Sequence, residues 1–170
     1  MTDADVTLRP AAVADAAALA DVLAHYVRET VISFRESPPS VEDWSALIRS
    51  NQEERLPCLV AELAGEVVGY AYASPWKTYA GYEHTVENSV YIADGFAGKG
   101  IGGRLLAALI EACRERGFEQ MIAVISRIED VGDASIQVHR RFGFVDVGTL
   151  RRVGTKHGLR IDTHIMQLEL

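Results

Sequence analysis

The sequence predicts an α+β fold: one mixed, mostly antiparallel sheet flanked by helices, in a single domain over residues 1–170. Three observations carry this expectation. Strand-like alternation and helical periodicity interleave without strict βα succession. Two alternating runs, residues 56–63 and 66–74, are separated only by Ala64-Gly65, the signature of an antiparallel hairpin. The 170 residues are 48% hydrophobic and carry no repeat, low-complexity tract or linker, enough for one sizeable core.

In chain order, residues 6–9 alternate and end at Pro10, giving a short first strand. Residues 12–29 form an alanine-rich helix whose apolar face holds Leu19, Leu23, Tyr26 and Val27. Pro38 and Pro39 interrupt the pattern, and Ser40 can cap a second helix carrying Trp44, Leu47 and Ile48. After the hairpin, a fourth strand covers roughly residues 83–93. A glycine-dense turn then opens a long helix to about Arg116, with Gly117 placed to end it. Residues 121–126 read as a short buried strand, 134–141 as a helix closed by Gly143, and 145–152 as the start of another strand. In residues 161–170, Ile161, Thr163, Ile165, Gln167 and Glu169 alternate with Asp162, His164, Met166, Leu168 and Leu170.

A formal net charge of −7 argues against nucleic acid or an anionic membrane held through a broad basic field. No apolar run approaches the roughly 20 residues needed to span a bilayer. The start, Met1 to Asp5, carries two aspartates where a secretory signal would be basic and then apolar. Cys58 and Cys113 form no C-x-x-C or Cys/His cluster, which fits a reducing compartment, and Cys113 falls on the apolar stripe of its helix. A cytoplasmic protein is expected. His25, His84, His157 and His164 are too irregularly spaced for a metal site, although His84 lies near Glu87 in sequence; no metal is assigned.

The most informative stretch is residues 85–104, T-V-E-N-S-V-Y-I-A-D-G-F-A-G-K-G-I-G-G-R: an alternating strand, a turn, then an amphipathic helix. Gly98, Gly100, Gly102 and Gly103 leave the backbone free to curl and present N–H groups, and the helix from about Ile101 adds its positive dipole end. Such a turn suits a phosphate held by the backbone. A dinucleotide fold would place its glycines after the first strand, with an acidic residue about 20 positions on. Here the turn follows several strands, which favours the pyrophosphate of another cofactor, with coenzyme A the first candidate.

This order of elements, with a G-x-G turn opening a helix and a late A-S-I-Q-V-H-R-R-F-G-F segment, resembles the GNAT superfamily of acetyl-CoA-dependent N-acetyltransferases over nearly the whole chain. The blocks R-P (9–10), S-F-R (33–35), P-W-K (75–77), Y-E-H-T-V-E-N-S-V-Y-I (82–92) and G-T-K-H-G (154–158) are similar to its phosphinothricin and methionine sulfone/sulfoximine acetyltransferase branch. The resemblance implies transfer of acetyl from acetyl-CoA to the α-amino group of a small amino-acid-like acceptor, in a protein that often pairs as a homodimer.

It also implies roles. Glu87 takes the place of the general base, a function that requires its pKa to be raised by partial burial. His139 stands where relatives carry a group near the thioester sulfur; it could protonate the thiolate or bond the cofactor, and a helix histidine satisfied by a nearby carbonyl is the alternative. Val90 and Tyr91 would pair with the pantetheine arm, and the Ile92 amide, freed by a strand bulge, would face the thioester oxygen. Gly98, Lys99, Gly100, Ile101, Gly102, Gly103 and Ser135 complete the implied cofactor site. Phe34, Arg35, Trp76, Lys77, Tyr82, Thr85 and Lys156 surround the acceptor, with cations suited to a carboxylate or phosphinate. No cysteine lies near the motif to carry an acyl group, so direct attack in a ternary complex is expected.

Four positions depart from the pattern. Ala97 and Gly132 replace the usual Gln or Arg and the usual Asn, and each lost donor costs something on the order of 1 kcal/mol of cofactor binding. Tyr79 stands for an arginine and Arg160 near a usual tryptophan, leaving room for an acceptor other than phosphinothricin. Two alternatives remain at this level: a non-catalytic acyl-CoA sensing domain, prompted by Ala97 and Gly132, and a protein or peptide N-acetyltransferase, which would need an open groove where Trp76 and Tyr82 suggest a walled pocket.

Overall fold

A computed structural model describes residues 6–170; the acidic start at residues 1–5 lies outside them. Seven strands form one sheet: β1 (Val6–Pro10), β2 (Cys58–Leu63), β3 (Glu66–Pro75), β4 (Thr85–Ile92), β5 (Gln120–Arg127), β6 (Val145–Lys156) and β7 (Leu159–Glu169). Their order across the sheet is β1-β2-β3-β4-β5-β7-β6. Every neighbouring pair is antiparallel except β4 with β5. The helices are α1 (Ala16–Glu29), α2 (Val41–Glu53), α3 (Ile101–Glu115) and α4 (Asp133–Arg141). The expected α+β architecture is therefore the one found.

Local chemistry explains the boundaries. Ser40 caps α2: its hydroxyl accepts from the Asp43 amide, and the Asp43 carboxylate accepts from the Ser40 amide at 2.8 Å. Ala64 and Gly65 both take positive φ, the conformation that a two-residue hairpin loop matched to strand twist requires. At the end of α3, Gly117 is left-handed, its N–H bonds the Arg114 carbonyl, and Phe118 N–H reaches back to Cys113. The same arrangement closes α4 at Gly143, with Phe144 N–H on the His139 carbonyl.

Several boundaries differ from expectation. The first helix begins as a 3-10 turn, Val13–Asp15, tied down by the Asp15 carboxylate, which accepts from the Ala12 amide and from Arg9 at 2.8 Å. The strand starting at Val145 runs on to Lys156, and the last strand begins at Leu159. Its alternation does not separate wet from dry residues: Ile161 and Thr163 on one side and His164, Met166 and Leu168 on the other are all buried, Met166 and Leu168 in the α3 core.

The sheet separates two cores. Alternation puts Ala71, Ala73, Val86 and Ala123 on the face covered by Leu105, Leu106 and Leu109 of α3. Tyr70, Tyr72 and Tyr91 point to the opposite face, against Leu19 and Leu23 of α1 and Trp44 and Ile48 of α2. Cys113 belongs to the α3 core and Cys58 to the other; both are free, and burial pushes each thiol up to about 12, which leaves them as packing groups. Leu105 has no exposed surface. Leu105→Ala is expected to destabilise the fold by about 2–5 kcal/mol, read as a lowered denaturant midpoint with an unchanged slope.

Candidate active site

The parallel pairing of β4 with β5 lasts only from Thr85↔Gln120 to Glu87↔Ile122, although both strands continue. Beyond that point the sheet opens into a cleft lined by residues 87–91 of β4, residues 123–126 of β5, and Ile32, Gly132, Ser135 and His139; the cavity is about 150 Å³. Pairing between β3 and β4 continues without a break from Pro75↔Val86 to Gly69↔Ile92. Trp76 N–H bonds the Thr85 carbonyl and Ala93 N–H bonds Val68, so odd-numbered residues of β4 face β3. The Val90 and Ile92 amides consequently turn toward the opening.

Side chains reach the cleft from both faces of the sheet. Glu87 shares the α1/α2 face with Ser89 and Tyr91, opposite their β3 partners Ser74, Tyr72 and Tyr70. Burial raises the Glu87 pKa, and the positive charge of Lys77 partly offsets this. This is the direction a general base working on an ammonium group requires. His84, its neighbour in sequence, is exposed and lies 3.5 Å from Glu83 instead.

Asn88 emerges on the other face, where α4 brings His139. Asn88 is buried; its Nδ2 donates to the Ile122 carbonyl at 3.1 Å and its Oδ1 lies 3.0 Å from His139 Nε2. The other ring nitrogen, Nδ1, is 2.8 Å from the Ser135 carbonyl, with the Ser135 hydroxyl at 3.4 Å, and the ring meets Phe144 edge-on. Burial holds the His139 pKa below its ordinary value, the Ser135 carbonyl offsetting part of the effect. Glu87 and His139 thus line one cleft from opposite sides of the strand that separates them. The bridging role of Asn88 was missed in the sequence; its only signal there was a polar side chain at a position whose alternation places it on the core face.

The glycine turn follows β4 directly. Gly98 and Gly100 are left-handed, and Gly100 is the cap of α3 with no side-chain partner for the helix amides. The first helical bond joins Arg104 N–H to Gly100 O at 3.2 Å, so the amides of Ile101, Gly102 and Gly103 precede the helical ladder, where a phosphate would be received. Gly102 and Gly103 lie in the first turn of α3, which begins at Ile101 as expected. A Cβ on Gly102 would sit 3.8 Å from Ile92, which places the helix start beside the end of β4. Lys99 folds back, its ammonium on the Gly95 carbonyl at 2.8 Å and over the Phe96 ring. Ala97 is exposed.

Ile92 requires a correction. β4 has no bulge there, and the peptide is already partnered: Tyr26 donates to the Ile92 carbonyl at 2.7 Å, and the Ile92 amide donates to the Tyr26 hydroxyl at 3.3 Å. A hydroxyl from α1 stands where the next strand would have paired. The Val90 amide, one alternation earlier, turns into the cleft that Val90 lines.

None of the acceptor residues predicted from sequence is among those lining the cleft. Trp76 is half-buried with the Lys77 ammonium 4.4 Å from its ring centre; Tyr82 ends a 3-10 turn ahead of β4 and is exposed, and Thr85 begins β4. Arg35 lines a neighbouring cavity of about 330 Å³ together with Tyr72 and Trp44. Phe34 lies against Gly154, where a Cβ would come within 2.4 Å of its ring. Lys156 is not a free cation: its ammonium is bonded to the carbonyls of Ser33 and Tyr26. With Ser126 donating to the Ile32 carbonyl at 2.9 Å, these contacts fasten residues 30–35 over one end of the cleft. Tyr79 is exposed, and Arg160 bonds the Arg152 carbonyl. Among the described residues, no group of three or more His, Cys, Asp or Glu side chains is placed to hold a metal ion.

Residues 19–144 match the model of the acetyltransferase (GNAT) family. The chain is 39% identical over 165 residues to an L-methionine sulfoximine/L-methionine sulfone acetyltransferase of Pseudomonas aeruginosa, covering 96% of this chain and 94% of that one. It is 38% identical over 153 residues to a phosphinothricin N-acetyltransferase of Streptomyces viridochromogenes, covering 90% and 81%. A phosphinothricin acetyltransferase from Sinorhizobium meliloti, solved in complex with acetyl-CoA, superposes with a TM-score of 0.91 at 36% identity, covering 98% of this chain and 89% of that one.

Gly132 illustrates how backbone geometry decides a departure. It is left-handed, with φ of 96°, and a Cβ there would lie 2.4 Å from the Ser126 carbonyl oxygen. No side chain fits without moving the wall of the cleft. Gly132→Asn is therefore expected to lower stability by about 1–3 kcal/mol rather than restore a lost donor, measured by thermal unfolding alongside acetyl-CoA affinity.

Proposed function

We propose, for a chain that belongs to the GNAT family of acetyltransferases, that residues 1–170 act as one domain transferring acetyl from acetyl-CoA to the α-amino group of a small amino-acid-like compound of the phosphinothricin or methionine sulfone/sulfoximine type. The observation that carries this reading is the opening between β4 and β5, with a carboxylate entering from one face, an imidazole from the other and orphan helix amides beyond the strand end. The activities named for the relatives supply the acceptor class.

In this reading the pyrophosphate of acetyl-CoA meets the amides of residues 98–103, and the pantetheine arm runs back along the opened edge of β4. Val90 N–H receives the thioester oxygen, where it stabilises the charge that develops as the nitrogen attacks. Glu87 takes the proton that the acceptor ammonium must lose, directly or through water. The C–N bond forms, the C–S bond breaks, and the departing thiolate takes a proton from His139. Arg35, Trp76, Lys77, Tyr82 and Thr85 surround the acceptor, while Phe34 and Lys156 act through the loop they hold. Gly132, one of the two departures that prompted a sensing role, is accounted for by its backbone.

A cytoplasmic location accords with two buried free thiols and with the absence, among the described residues, of any helix long and apolar enough to cross a membrane. A homodimer accords with the outer strand β6, where Val145, Val147, Leu150 and Val153 are exposed beside Leu159 of β7. Val147→Asp is expected to shift the protein from dimer to monomer in sedimentation velocity; a wild-type protein that sediments as a monomer overturns the dimer.

Glu87→Gln should lower kcat by roughly 10²–10⁴-fold while leaving calorimetric acetyl-CoA affinity nearly unchanged. The wild-type rate should fall as pH drops through the raised Glu87 pKa, above the usual glutamate value of about 4.3, and this acid limb should vanish in the variant. Thiol release across an amino-acid panel including phosphinothricin, methionine sulfone and methionine sulfoximine tests the acceptor class. Binding of acetyl-CoA without turnover on any amine would favour the sensor.

A further inference from the structure

We propose that Tyr26 is a positioning residue for acetyl-CoA: its hydroxyl occupies the pairing site of Ile92 on the open edge of β4 and so leaves Val90 as the place where the thioester is received. The proposal rests on the reading that the cofactor arm runs along that edge, and adds what keeps the arm from stopping short of the cleft.

The hydroxyl does at Ile92 what a neighbouring strand would do. In an antiparallel ladder, alternate residues turn both their N–H and their C=O to the same side, and Val90 and Ile92 turn theirs away from β3. Tyr26 Oη lies 2.7 Å from the Ile92 carbonyl oxygen and 3.3 Å from the Ile92 nitrogen. The roles are fixed by chemistry: the carbonyl can only accept and the amide only donate, so the hydroxyl gives its proton to the first and takes the second on a lone pair. Burial raises the Tyr26 pKa, which keeps that proton in place. Both edge groups of Ile92 are thereby used.

Each partner is held in turn. The Tyr26 ring meets Tyr91 edge-on with centroids 5.1 Å apart, and in the last turn of α1 the Tyr26 carbonyl accepts from the Thr30 hydroxyl at 2.8 Å and from Lys156 at 3.4 Å. Ile92 packs between β3 and the start of α3: a Cβ on Gly69 would lie 2.8 Å from its Cδ1, and one on Gly102 3.8 Å from its Cγ1. Moving the hydroxyl off Ile92 means disturbing this packing as well as giving up two hydrogen bonds.

Acetyl-CoA presents a row of carbonyls, its two amides and its thioester, to an edge that would otherwise offer similar seats at Val90 and Ile92. Val90 lines the cleft with Glu87 and His139, and Ile92 does not. Two residues of strand span about 6.6 Å, so a thioester taken at Ile92 stops well short of hydrogen-bond reach of either group. Tyr26 closes that unproductive seat before the cofactor arrives.

The test follows amide hydrogen exchange at Val90 and Ile92 by NMR, in the free protein and with saturating acetyl-CoA and no acceptor. In the wild type, Ile92 should be equally protected in both states, and Val90 should gain protection only with acetyl-CoA. Tyr26→Phe removes the hydroxyl and keeps the backbone carbonyl that holds Thr30 and Lys156; Ile92 should then exchange about tenfold faster or more in the free protein and become protected when acetyl-CoA is added. In the same variant kcat and the KM for acetyl-CoA should fall together by roughly 2–10-fold, the worth of one hydrogen bond, with kcat/KM unchanged, because an unproductive seat has been opened. Wild-type Ile92 protection that changes with acetyl-CoA as much as that of Val90, or a Tyr26→Phe protein whose kcat/KM falls, overturns the proposal. Acetyl-CoA that binds by calorimetry and alters neither amide overturns the underlying reading of the arm on β4 as well.

Discussion

Two parallel strands that stop pairing after Glu87↔Ile122 leave backbone groups of β4 without a neighbouring strand, and the rest of the site is arranged around that constraint. A buried amide without a partner is costly, so each exposed edge group must be met by something other than sheet. Asn88 spans the first step of the opening with its side-chain amide. Tyr26 meets the peptide of Ile92 at the far end. Between these two plugs, Val90 keeps an amide aimed into the opening that Glu87 and His139 also line. The strands do not merely border the cleft; their failure to pair produces it.

The opening also explains how the proposed base and the proposed acid can serve one reaction without neutralising each other. Adjacent residues of a strand point to opposite faces, so Glu87 and Asn88 deliver their chemistry to two different environments although they are joined by a single peptide bond. On the tyrosine-lined face, burial holds the Glu87 carboxyl toward its neutral form, with Lys77 tempering the effect. On the α3/α4 face, His139 is governed by two oxygens and the edge of Phe144. The sheet itself acts as the partition.

Much of this was legible in the residues because it depends on local rules. Ser40 three positions before Asp43, the Ala64-Gly65 turn, Gly117 and Gly143 after their helices, and the glycine turn ahead of α3 each state a backbone requirement that neighbouring residues meet. Glu87 and His139 were expected from the motifs around them, and both line the cleft. What could not be read was anything set by contacts distant in sequence. Asn88 and His139 are 51 positions apart, Tyr26 and Ile92 are 66 apart, and Lys156 reaches Ser33 across 123. Lys156 looked like an acceptor cation because charge is visible in a sequence and its carbonyl partners are not.

Lys156 and Phe34 tie the segment after α1 to the far end of β6, an outer strand with an apolar exposed side. In the proposed reaction, the rim that an incoming amine would pass is therefore mechanically continuous with an outer edge of the sheet. Substitutions on that outer hairpin can retune which amines are admitted while leaving the proton-handling groups untouched, so selectivity and chemical competence are free to diverge along separate evolutionary paths.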